Sequence, residues 1–68
     1  MSDNIVVDPS IFLNLTKKRS QDFAEVKSLV WRLVSIDGES YLGYPEDTRD
    51  DRVCVVIEKG LVVEATIQ

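Results

Sequence analysis

Val53 to Ile67 reads VCVVIEKGLVVEATI. Two runs rich in β-branched residues flank Lys59-Gly60, the pattern of a β-hairpin. The register of that hairpin constrains the fold most, because a slip of one residue moves every side chain to the other face. A two-residue turn at Lys59-Gly60 puts Val56 across from Val63 and Val55 opposite Glu64. A three-residue loop, Glu58-Lys59-Gly60, pairs Ile57 with Leu61, Val55 with Val63 and Val53 with Ala65. Gly60 then takes the left-handed conformation of a bulge, which glycine adopts without strain. This second register is the expected one, since it gathers Val53, Val55, Ile57, Leu61, Val63, Ala65 and Ile67 on a core face. The opposite face carries Cys54, Val56, Val62, Glu64 and Thr66, so three apolar side chains there need a cover.

Little in the chain can reinforce a small core. With 68 residues it is a single domain, residues 1–68, and a chain this size buries only about 60% of its unfolded surface. Cys54 is the only cysteine and there is no histidine, so neither an internal disulfide nor a zinc-type ligand set is expected. Oligomerisation or docking is the remaining means of reinforcement. The N-terminus MSDNIVVDPS has neither the basic nor the long apolar part of a signal peptide, and no apolar run is long enough for a membrane span. With its lone thiol, the chain is expected to be cytoplasmic.

The remaining elements follow from local signals. Asp8-Pro9-Ser10 marks a helix start, with Asp8 capping free N–H groups and Pro9 at the first position. Ile11, Phe12 and Leu15 share a helical face, and Lys17-Lys18-Arg19 suit the negative end of a helix dipole. A short helix over residues 9–18 is expected, preceded at Ile5-Val6-Val7 by a short edge strand or an extended arm. Residues 20–36 carry no Gly or Pro. Their later part is rich in Val, Trp and Ile and runs into Asp37-Gly38, a strong hairpin signal. A strand over residues 27–36 is expected, after a helical turn at residues 21–26; a helix through Leu33 is the alternative. Residues 40–44 return as the next strand, Pro45 stops it, and residues 46–51 (EDTRDD) form a charged loop. The fold class is therefore α+β: a short N-terminal helix packed on a small antiparallel sheet of about four strands, built from two successive hairpins.

Charge divides the chain. Residues 1–36 hold five Lys/Arg and four Asp/Glu, a balance of +1, and residues 37–68 hold three and eight, a balance of −5. Such acidity disfavours nucleic-acid binding, since like charges repel. The basic run at residues 17–19 is too short to reverse that expectation. The carboxylates of residues 46–51 lack the alternation and central glycine of a calcium loop and read as a solvated surface. Cys54 lies between Val53 and Val55 with no histidine to activate it, so it reads as a structural thiol. Trp31 is expected in the core.

No catalytic constellation emerges, so the chain is not expected to be an enzyme, and no cofactor or metal is implied. The expected function is a non-catalytic protein-interaction or regulatory module that self-associates. The partner is a protein or a second copy, with neither nucleic acid nor membrane. Tyr41, Tyr44, Cys54, Val56 and Val62 are the candidate partner-binding residues, as aromatic and apolar groups on the second sheet face. The alternative is an acidic decoy that occupies the nucleic-acid-binding surface of a target.

Overall fold

The computed structural model describes residues 8–68, so the Ile5-Val6-Val7 arm lies outside the described residues. A 3₁₀ turn, Pro9–Phe12, leads to helix α1, Lys17–Val26, and then to four strands: β1 Val30–Ile36, β2 Glu39–Ser40, β3 Arg52–Glu58 and β4 Leu61–Ile67. The strands form one open sheet in the order β2-β1-β3-β4. The α+β class holds, but the sheet is mixed. Both hairpins are antiparallel, whereas β1 and β3, which join them, run parallel.

The expected helix over residues 9–18 is divided. Asp8 does cap its start, accepting from the Ser10 N–H at 2.9 Å. Asn14 then turns left-handed at φ 68, a conformation asparagine tolerates better than most residues. Its N–H donates to the Val62 carbonyl, and Val62 N–H donates to the Leu15 carbonyl, both at 2.8 Å. Residues that would continue the helix instead pair with the edge of β4. Thr16 starts α1 afresh, its hydroxyl accepting from Arg19 N–H at 3.2 Å. The Lys17-Lys18-Arg19 run therefore opens a helix, where its charge opposes the dipole, and does not close one.

α1 ends where Ser28 adopts φ 60 and Leu29 N–H donates back to the Ala24 carbonyl at 2.8 Å. The expected strand over residues 27–36 thus begins three residues late, and the helical turn at residues 21–26 is part of a full helix. The alternative helix through Leu33 is not formed. Asp37-Gly38 makes the expected two-residue turn, with φ values of 51 and 82. The strand expected over residues 40–44 shrinks to Glu39–Ser40. Beyond it the chain folds back on β1, with Tyr41 and Gly43 N–H groups both donating to the Val34 carbonyl.

The last hairpin corrects the expected register. Its turn has two residues, Lys59 and Gly60, both left-handed at φ 54 and 82, so Glu58 pairs with Leu61 and Ile57 with Val62. A bulge at Val63 then shifts the ladder by one, and Val56 pairs with Glu64, Val55 with Ala65 and Val53 with Ile67. The bulge satisfies both demands at once: a tight turn of the favoured hand, and an apolar face free of Glu64. Val62 is therefore a core residue, 0% exposed, while Leu61 and Val63, assigned above to the core, reach the surface.

The core is a single cluster between α1 and the sheet: Phe12, Ala24, Leu33, Val53, Val55, Ile57 and Val62. Phe12 stacks obliquely on Phe23, with ring centroids 5.2 Å apart. Burying one such ring is worth roughly 1.5–3 kcal/mol, more than a typical cap at about 1 kcal/mol. Packing of Phe12, rather than the short turn it sits on, thus holds residues 9–12 in place. Trp31 packs at the rim of this core, and its indole N–H donates to Ser20 Oγ at 3.0 Å.

Candidate interaction surfaces

Parallel strands cannot be joined by a tight turn. The chain leaving β1 must return the length of the sheet before β3 starts, and it does so across a sheet face. Residues 41–51 make that return and are called the strap. Helix α1 occupies one face, and the strap crosses the other. On that second face, Arg52, Cys54 and Val56 alternate along β3, with Arg32 and Ser35 beside the latter two on β1 and Thr66 and Glu64 on β4.

Polar contacts hold the strap down. Arg32 Nε donates to the Gly43 carbonyl at 2.8 Å and Nη2 to the Leu42 carbonyl at 3.0 Å. Tyr44 reaches across to β4, its hydroxyl donating to Glu64 Oε1 at 2.6 Å. That bond to a carboxylate, with some burial, pushes the Tyr44 hydroxyl from 10.0 up to about 12. Arg52 Nη2 donates to the Asp47 carbonyl and carboxylate, both at 3.1 Å, and to the Gln68 carbonyl at 2.7 Å. Its Nε is buried with no partner. Arg52 holds the Asp47 carboxyl below the usual carboxylate range, and Arg49 does the same for Asp51 through paired bonds of 2.8 Å.

The five candidate partner-binding residues fall in three places. Tyr41 is 66% exposed on the strap, and Tyr44, also exposed, is committed to Glu64. Cys54 is 1% exposed; burial pushes its thiol above the ordinary range, opposed by the guanidiniums of Arg52 and Arg32. Val56 is half-buried on the same face. Val62 lies on the opposite face, in the core, because of the bulge. The second side of the hairpin is thus covered in large part by the chain's own crossover. The surface it presents is the outer side of the strap, where Leu42 joins Tyr41 at 56% exposed.

A second surface was not legible beforehand. Ile11, Leu15, Phe23 and Val26 line a groove of about 630 Å³ beside α1, with Lys18, Arg19 and Asp22 at its rim. Val26 is 76% exposed, and Lys27 stands over the Phe23 ring at 5.4 Å from its centroid. The available signal was helical spacing: residues 19, 22, 23 and 26 align on one side of the helix that Thr16 caps.

Among the described residues, no group of three or more Cys, Asp or Glu is placed to hold a metal, and no helix is long and apolar enough to cross a membrane. No family model, curated protein or solved structure matches the chain.

Proposed function

We propose that this chain is a non-catalytic protein-interaction module that associates with copies of itself. One observation carries the reading: among the exposed apolar side chains, Tyr41 and Leu42 lie together on the outer strap, and Ile11 and Val26 flank the α1 groove. Tyrosine, here Tyr41, is among the residues enriched at interface centres. The polar groups nearest to chemistry are otherwise engaged, Asp47 and Asp51 in ion pairs and Cys54 beneath the strap.

Light scattering across a dilution series tests the reading. Average mass should rise with concentration, and a hydrophobic dye should bind the dilute protein and be released as it concentrates. A constant monomer mass with no dye bound would reject it. The decoy reading draws its support from Glu46 and Asp50, exposed carboxylates on the strap with no basic partner among the described residues. Complexes formed that way weaken steeply with salt, whereas apolar association does not.

A further inference from the structure

We propose that copies of this chain associate head to tail, the strap of one protomer seating in the α1 groove of the next. The proposal rests on the self-association reading and specifies its geometry. Within one protomer each surface is half of a complementary pair. The groove offers Ile11, Phe23 and Val26 as an apolar floor. At its margin Arg19 and Lys27 have no acidic partner among the described residues, whereas Lys18 is tied to Asp22 at 2.9 Å. The strap offers Tyr41 and Leu42 as exposed apolar groups. Its Glu46 and Asp50 likewise lack a partner, whereas Asp47 and Asp51 are held by Arg52 and Arg49. Apolar surface meets apolar surface, and the unpaired cations of one copy meet the unpaired carboxylates of another.

Symmetric pairing lacks this match. Groove against groove brings together two margins on which Lys18, Arg19 and Lys27 outnumber Asp22, and strap against strap brings together two acidic segments. Like charges brought together at an interface are costly, and this is how many interfaces reject wrong partners. The two surfaces also lie on opposite sides of the sheet, because α1 covers one face and the crossover the other. A protomer that has placed its strap still has an open groove. Such heterologous contacts continue until a ring closes, or without limit.

Two variants test the geometry. Arg19→Glu with Val26→Glu blocks the groove; Tyr41→Ser with Leu42→Lys blocks the strap. All four positions are exposed, and circular dichroism with Trp31 fluorescence checks that each variant is folded. Should either double variant unfold, the single changes Val26→Ser and Leu42→Ser take their place. Sedimentation at low salt should show the wild type growing past a dimer as concentration rises. Each variant alone should associate about tenfold more weakly or worse. An equimolar mixture should form a one-to-one dimer that grows no further, because the intact strap of one fills the intact groove of the other. If either variant alone associates like the wild type, or the mixture stays monomeric, head-to-tail geometry is overturned and self-association stands. A wild type that is monomeric throughout overturns both.

Discussion

At the scale of single residues, Tyr44 and Cys54 report on the strap. The Tyr44–Glu64 bond ties the crossover to the far strand, and Cys54 lies beneath. A hydrogen bond contributes about 0.5–1.5 kcal/mol, so Tyr44→Phe should raise the labelling rate of Cys54 by a soluble disulfide reagent about twofold to tenfold. An unchanged rate would mean that the strap opens without breaking this bond. Both groups also set an alkaline limit. Each has a folded pKa raised above its ordinary value, 9.0 for Cys54 and 10.0 for Tyr44, with Tyr44 reaching about 12. The folded state then holds protons that the unfolded chain has released, so their contribution is complete below about pH 9 and is lost as pH rises toward 12. Urea midpoints across that range should fall less steeply in Tyr44→Phe combined with Cys54→Ala than in the wild type. A slope as steep in the double variant would assign the alkaline limit to other groups.

At the scale of elements, the misplaced helix is instructive. Lys17-Lys18-Arg19 looked like a helix end because cations belong there, and Asp8-Pro9 looked like its start. Both local signals are real, and Asp8 does cap a turn. Tertiary pairing decided the outcome: Val62 takes the backbone groups of Asn14 and Leu15, and the helix restarts at Thr16 against its own charge pattern. No acidic residue sits in the first turn of α1. Lys17→Glu should therefore stabilise the protein by about 0.3–1 kcal/mol. For a domain this small that is a rise of roughly 2–6 °C in Tm, diminishing with added salt. A lowered Tm would show that Lys17 has a role the dipole does not capture.

The hairpin register escaped the sequence for a similar reason. Reading VCVVIEKGLVVEATI set a tight turn against a clean apolar face, and the chain achieved both with a bulge at Val63. A bulge changes which residues face inward without altering the residue types that suggest a strand. The assignment of Val53, Val55 and Ile57 to the core was legible, because they alternate on β3 whatever the partner does. The fate of Leu61, Val62 and Val63 was not, since it depends on one inserted residue. Likewise the exposure of Tyr41 was readable, because its hydroxyl tolerates water. The cover over Cys54 was not, because it follows from pairing between strands distant in sequence.

At the scale of the whole molecule, one pairing organises the rest. Parallel alignment of β1 and β3 forces the crossover, and the crossover puts the strap opposite α1. It also brings the two hairpin turns side by side: Lys59 N–H donates to the Asp37 carboxylate at 2.8 Å, and Asp37 N–H to the Ile57 carbonyl at the same distance. The sequence showed two self-contained hairpins, and local turn chemistry supports each. What it did not show was that neither hairpin alone has a covered face.

That dependence shapes how the chain reaches its native state. Each tight turn closes within microseconds in isolation, but an isolated hairpin is marginal in water. The central ladder has to wait for the strap to close a loop between strands far apart in sequence, and entropy is lost before any contact repays it. The contact between Asp37 and Lys59 thus exists only where the two hairpins are docked. Leu33 is the one member of the buried core cluster that the first hairpin supplies, so that hairpin depends on the second for most of its core.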